Sequence, residues 1–180
     1  MDTPRLQLRP FSPEHWLALI EGEEEFYRSF GLRAAEGLRE EITSGEVSPA
    51  WLAQLREAKA ADPWTHGFAV VERARSLVIG SAGFKGPPDA EGMVEIAYGI
   101  APAFQGKGYA TEAARELISF ACRDLRVRLI RAHTLPTNNA STRVLTKNGF
   151  GKVGEVIEPD DGRVWRWERP RIGTEAREQP

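Results

Sequence analysis

The apolar positions of this chain change period several times, and each change marks an element. Leu6 and Leu8 alternate with Arg5, Gln7 and Arg9, the period-two pattern of a short strand. Ser12-Pro13-Glu14 predicts a helix start, with serine as N-cap, proline at the first helical position and an acid in the first turn. Trp16, Leu17, Leu19 and Ile20 supply its buried side. Residues 21–63 carry weaker signals. Glu21 and Glu23-Glu24-Glu25 form an acidic patch broken by Gly22, with Phe26, Tyr27 and Phe30 close behind. Leu38 and Ile42 predict a helix ending near Gly45, and Ser48-Pro49 opens another carrying Trp51, Leu52, Leu55 and Ala58 as far as Asp62-Pro63.

Two β-rich runs, His66 to Glu72 and Leu77 to Phe84, flank the polar Arg73-Ala74-Arg75-Ser76 and predict a hairpin. Met93 to Ile100 alternates as a central strand, with Val94, Ile96, Tyr98 and Ile100 on one face and Glu95, Ala97 and Gly99 on the other. From Ala110 the period becomes helical: Ala113, Ala114, Leu117, Ile118, Ala121, Cys122 and Leu125 hold one face for roughly four turns. Arg128 to Thr134 is a further strand. Asn138 or Asn139 caps a helix that stops at Asn148-Gly149, where glycine suits a left-handed C′ position. Phe150 to Ile157 and Val164 to Glu168 close a hairpin across Pro159-Asp160-Asp161-Gly162, and the polar stretch from Arg169 reads as a fraying tail. This order predicts one mixed α/β domain over residues 1–169, with 20–62 as a helical insert and 170–180 as a disordered tail.

Between the central strand and the long helix lies Gln105-Gly106-Lys107-Gly108-Tyr109-Ala110. Strand, glycine-rich loop and helix in that order present unshielded backbone amides at a helix N-terminus, a ready site for an anion such as a phosphate. Two familiar loops are excluded by their own grammar. A dinucleotide fingerprint needs a third glycine where Thr111 stands, and a P-loop needs Ser or Thr after the lysine, where Gly108 stands, and glycine in place of Ala101.

The loop instead fits Gln-x-x-Gly-x-Ala, and its surroundings extend the match. Val94 to Pro102, the loop and Ala110-Thr111-Glu112-Ala113 resemble one block of the RimJ/RimL-type branch of the GNAT acetyltransferase superfamily. Asn138 to Leu145 with Asn148-Gly149-Phe150 resembles the next. The resemblance covers about residues 65–157 and the start, Arg5 to Arg9, and is weak between about 20 and 62. It implies a mixed, mostly antiparallel central sheet flanked by helices and splayed between the fourth and fifth strands. It also implies an N-acetyltransferase that moves an acetyl group from acetyl-CoA to a primary amine, on a protein N-terminus or a small molecule, by direct attack in a ternary complex. A non-catalytic acyl-CoA-binding module on the same fold is the alternative, and a homodimer is the habit of that family.

Such a transfer needs a coenzyme anchor, an oxyanion donor, a base for the amine and an acid for the leaving thiolate. By resemblance the anchor comprises Ile100, Ala101, Gln105, Gly106, Lys107, Gly108, Tyr109, Ala110 and Thr111, with Asn138 on the pantetheine arm. The oxyanion donor is the backbone N–H of Ile100 or Ala101. Glu95 is the candidate base; burial beside Ala97 and Gly99 is expected to raise its pKa towards the working range. An exposed or ion-paired Glu95 with water-mediated proton removal is the other possibility, and a carboxylate near Asp160, with Asp161 and Glu158 close by, is a third. Many superfamily members carry a tyrosine where this chain has Leu145; the RimJ/RimL-type branch instead offers a serine, and that resemblance implies Ser141, in the first turn of its helix, as the proton donor, unless that serine merely bonds its own backbone. The acidic patch is a solvated helix face or an attraction for a cationic amine. Trp165 and Trp167 read as sheet packing or a subunit contact.

Composition trims the alternatives. With 24 basic and 26 acidic side chains in 180 residues, the net charge of -2 gives no support for a nucleic-acid or membrane partner. One cysteine and three histidines predict neither a disulfide framework nor a metal centre. Cys122 falls on the apolar stripe of the long helix, as a packing residue. No apolar run approaches a membrane span and the start has no signal-peptide pattern, so a cytoplasmic location is expected.

Overall fold

The computed structural model describes residues 1–43, 49–158 and 162–171. Its strands are Leu6–Pro10 (β1), Phe68–Glu72 (β2), Leu77–Phe84 (β3), Met93–Ile100 (β4), Leu129–Thr134 (β5), Gly151–Glu158 (β6) and Gly162–Pro170 (β7). They form one sheet in the order β1-β2-β3-β4-β5-β7-β6. All neighbours run antiparallel except β4 and β5. The helices are Pro13–Glu21 (α1), Glu23–Phe30 (α2), Leu38–Thr43 (α3), Pro49–Glu57 (α4), the single turn Pro63–His66 (α5), Tyr109–Arg123 (α6) and Ala140–Lys147 (α7).

Most of the predicted stripe of α6 is buried: Ala113, Ala114, Leu117 and Ala121 are wholly inaccessible and pack over β1, β3 and β4, whereas Leu125 falls beyond the helix end at Arg123 and is exposed. Burying a leucine such as Leu117 stabilises the fold by about 2 kcal/mol, enough to pin the helix start next to the central strand. Cys122 is partly buried against this core.

The parallel pair β4–β5 is short. Met93, Val94 and Glu95 face Leu129, Ile130 and Arg131, and the pairing then stops. Beyond that point each strand stays with its outer partner: β4 follows β3 to Ile100 opposite Gly80, while β5 follows β7 to Thr134 opposite Trp165. The predicted splay is therefore where two antiparallel halves diverge.

Several boundaries move from their expected places. His66 closes a helical turn capped by Asp62, whose side chain accepts from the Trp64 amide, so β2 begins at Phe68. The acidic patch opens α2, which Gly22 separates from α1; Glu24 pairs with Arg33 at 3.0 Å and Glu25 with Arg28 at 3.3 Å on an exposed face. Arg169 and Pro170 do not fray but complete β7 opposite Ile130 and Leu129. Asn139, not Asn138, caps α7, accepting from the Thr142 amide at 3.0 Å, and Gly149 takes φ 78° after it. Trp167 is buried and donates to Thr134 Oγ1 at 3.1 Å, the packing role expected of it. Gly45, Asp160 and Asp161 lie outside the described residues.

Candidate active site

After β4 the chain makes one 3₁₀ turn, Pro102–Phe104, and enters the glycine loop. Gly106 and Gly108 both sit at positive φ, 73° and 83°, in the left-handed region that other L-residues avoid. The first bond of α6 runs from the Glu112 amide to the Gly108 carbonyl at 3.1 Å, so the amides of Tyr109, Ala110 and Thr111 have no helical acceptor, and Gly108 supplies no side-chain cap. These donors face a cleft of about 300 Å³ whose walls include Ile100, Gln105, Gly106, Gly108, Tyr109, Ala110 and Thr111. Across it, α7 contributes Ser141 and Val144, together with the exposed cations Arg143 and Lys147.

The loop is tied down from outside. Arg5 donates to the Lys107 carbonyl at 2.9 Å and pairs with Glu112 at 2.6 Å, while Thr3 donates to the same carboxylate. Gln105 Nε2 donates to the Ile100 carbonyl at 2.8 Å, and Tyr109 Oη donates to Glu72 at 3.1 Å. Asn148 reaches from the end of α7 to the Thr111 carbonyl at 3.2 Å, joining the two helices that wall the cleft. Burial works against the charged form of Glu112, but hydrogen bonds from Thr3 and Arg5 outweigh it and hold its pKa below the ordinary value of 4.5. A depressed carboxyl contributes stability above its unfolded pKa and loses it as pH falls through the folded one. Melting temperature should therefore fall more steeply below about pH 4.5 in the wild type than in Glu112→Gln. Equal slopes in the two melting series would mean the Thr3–Arg5–Glu112 clasp is idle.

At the end of β4 the ladder separates the two expected oxyanion donors. The Ala101 amide donates to the Ile79 carbonyl at 2.8 Å and is spent on β3. Ile100 stands opposite Gly80, the neighbouring position in the antiparallel alternation, so its amide points away from β3 into the splay. Ala101 is also fully buried and is not part of the cleft wall. Lys107 departs similarly: its ammonium turns back to the Ala103 carbonyl at 2.7 Å instead of standing at the mouth. Asn138 is exposed and stands outside the lining of the cleft.

Ser141 lies at the second position of α7, beside Tyr98 on the wall of the cleft. Burial pushes the Tyr98 pKa up to about 12, only partly offset by that serine, so the phenol stays protonated at neutral pH. Tyr98 had been read only as part of the strand's apolar face, yet it lines both this cleft and a second cavity. Leu145 is wholly buried in the core, one residue away from the cleft-lining Val144.

The second cavity, about 200 Å³, is walled by Lys85, Glu95, Ile96, Ala97, Tyr98, Ala132, His133 and Ser141. Glu95 Oε1 accepts from Lys85 Nζ at 2.8 Å and lies 3.1 Å from His133 Nδ1. Burial favours a neutral Glu95, as expected from the sequence, but the lysine and the imidazole together prevail and hold its pKa below the ordinary value. The expected upward shift is thus reversed, and Glu95 is a carboxylate anchored by Lys85 and His133. Glu158, at the end of β6, stands 3.6 Å from His133 Nε2. Glu41 of α3 borders the first cleft below Gly99, with its pKa raised by burial. The acidic residues of α2 are not among the lining residues of either cavity. His133 and Glu41 escaped the sequence reading because neither sits in a motif; the i, i+4 spacing of Arg143 and Lys147 was visible and could have been used.

The helix N-terminus with unused amides thus opens on a parted parallel strand pair with an inward-turned amide. Residues 5–151 match the Acetyltransferase (GNAT) domain, and the chain belongs to that family, whose members use acetyl-CoA. It is 35% identical over 99 residues to the uncharacterized N-acetyltransferase YjdG of Bacillus subtilis, a match spanning 53% of this chain and 59% of that protein. It is 27% identical over 180 residues to the uncharacterized N-acetyltransferase YoaA of the same organism, covering 95% and 97%. Among solved structures, the ribosomal-protein-S5-alanine acetyltransferase of Vibrio fischeri superposes with a TM-score of 0.69 at 17% identity, over 96% of each chain. At that identity the likeness speaks for the fold. Among the described residues no helix is long and apolar enough to cross a membrane, and no cluster of three or more His, Cys, Asp or Glu is suited to a metal.

Proposed function

We propose that this protein transfers an acetyl group from acetyl-CoA to a primary amine in a ternary complex. The observation that carries the reading is the pair of open amide sets: Tyr109, Ala110 and Thr111 at the start of α6, and Ile100 at the end of β4. The first set suits a diphosphate, with Arg143 and Lys147 across the cleft adding positive charge. The Ile100 amide suits the oxygen of a thioester under attack, where a fixed donor contributes about 3 kcal/mol to the transition state. Ser141, on the cleft wall beside Tyr98, donates a proton to the departing sulfur and regains one from solvent. The amine enters from the face carrying Glu95, His133 and Glu158.

Free thiol released from acetyl-CoA in the presence of a panel of small amines and peptide N-termini tests the reading directly. Turnover with at least one amine is expected. Tight coenzyme A binding with no turnover on any of them would favour an acyl-CoA-binding module instead. In the active case Ser141→Ala is expected to lower kcat about 100-fold, the usual range for a lost proton donor, while the affinity for coenzyme A stays near the wild-type value. An unchanged kcat would leave Ser141 as a simple first-turn residue.

A further inference from the structure

We propose that His133 is the group that takes the proton from the incoming amine and that Glu95 acts by orienting it. The inference rests on the amine-acetylation reading above and names the base within that site. His133 lies on β5 two residues beyond Arg131, the last residue paired with β4, so it stands at the point where the strands have parted. It shares a sheet face with Glu95, and its Nδ1 is 3.1 Å from Glu95 Oε1. That carboxylate is held by Lys85 at 2.8 Å and ionised, so it can only accept. The Nδ1 position therefore keeps the ring proton, which in the neutral imidazole leaves the lone pair on Nε2.

Nε2 is the unexplained atom. The His133 side chain is 6% exposed, and among the described residues Nε2 is a buried nitrogen with no hydrogen-bond partner. Glu158 Oε1, at 3.6 Å, is too far to be one but close enough to attract a cation. Buried polar atoms are nearly always satisfied, so an orphan acceptor points to a donor that arrives with a ligand. The cavity beside it is shared with Tyr98 and Ser141, which also line the coenzyme cleft, so a nitrogen placed there lies next to the thioester end. Glu95 Oε1, by contrast, is already engaged by both Lys85 and His133.

The proton balance is simple. An ammonium drawn in by Glu158 gives one proton to His133 Nε2, and the imidazolium formed lies between Glu95 and Glu158. The freed nitrogen lone pair forms the C–N bond at the thioester carbonyl, and the C–S bond breaks with its electron pair going to sulfur. The second nitrogen proton leaves to solvent as the amide forms, Ser141 gives its proton to the sulfur and regains one from solvent, and the His133 proton passes to solvent. The products are the acetamide, the free thiol and one proton.

The test uses the full chain with an amine that the wild type acetylates. His133→Gln is expected to lower kcat about 100-fold or more, with the KM for acetyl-CoA changed by less than about twofold. Added imidazole should restore part of the rate to His133→Ala. Glu95→Gln should give a smaller loss of kcat, because a neutral amide no longer selects the Nδ1–H tautomer. Nitrogen-15 NMR of the wild type, which needs no substrate, should find His133 with the proton on Nδ1 and Nε2 bare. Wild-type rates in His133→Gln, or a resting proton on Nε2, would overturn the inference while leaving acetyl transfer intact. A wild type inert towards every amine would overturn the functional reading itself. Should His133→Gln melt early, Glu95→Gln and the tautomer measurement still decide.

Discussion

Coenzyme A should bind the double variant Gly106→Ala/Gly108→Ala at least about tenfold more weakly than the wild type, by isothermal titration. The reason is conformational rather than steric. A Cβ at Gly106 would meet nothing within 4 Å, and one at Gly108 would touch only Arg5 Nη2 at 3.5 Å. But both residues sit at positive φ, 73° and 83°, where an L side chain costs roughly 1–2 kcal/mol per residue. Alanine would shift the loop toward ordinary backbone, and the amides of Tyr109, Ala110 and Thr111 would no longer converge. Because Arg5 and Gln105 clamp the loop to the rest of the fold, the protein should still melt cooperatively. Undiminished affinity in the double variant would mean that the diphosphate is not held by this backbone.

Gly80→Ala should damage catalysis more than it damages stability. Its Cβ would fall 2.3 Å from the Gly99 carbonyl oxygen and 2.7 Å from Ile100 Cδ1, distances that neither strand can accommodate without moving. Because Gly80 is the register partner of Ile100, the displacement falls on the residue whose amide faces the splay. Overpacking of this kind costs about 1–3 kcal/mol of stability. In a chain of this length that corresponds to a fall in melting temperature of roughly 2–4 °C per kcal/mol. Catalysis should suffer more, since a misplaced oxyanion donor is worth about 100-fold in kcat. Coenzyme A affinity, set by the α6 amides, should change little. If kcat follows stability with no excess loss, the Ile100 amide has no special role.

These two variants also mark the limits of what could be read from the chain alone. The glycine loop was legible because its chemistry is local. Two left-handed glycines before an apolar stripe of period 3.6 fix both the turn and the helix start, whatever surrounds them. The helix stripe from Ala113 to Ala121, the Ser12 and Gly149 caps and the β2–β3 hairpin were legible for the same reason. The turn of the Lys107 ammonium back to the Ala103 carbonyl was not legible, because it depends on the 3₁₀ turn that brings the two residues together. His66 was misjudged because Asp62 caps a turn that competes with strand propensity.

The candidate base was harder. Alternation correctly put Glu95 on the face opposite Val94 and Ile96, but its charge state depends on Lys85 and His133, 10 residues before it and 38 after it in the chain. Burial alone would have raised its pKa; the two partners reverse the sign. The choice between Ile100 and Ala101 likewise depends on which amide β3 consumes, a matter of register across the sheet.

The sequence by itself determined the order of elements, the mixed α/β class and the glycine loop at the start of the long helix, because each follows from short-range periodicity and backbone preference. Only the tertiary structure decided which amide faces the splay, that Tyr98 stands beside Ser141, and that His133 meets Glu95. Those pairings join strands and helices distant along the chain, and such distances are set by packing and sheet register rather than by any local pattern of residues.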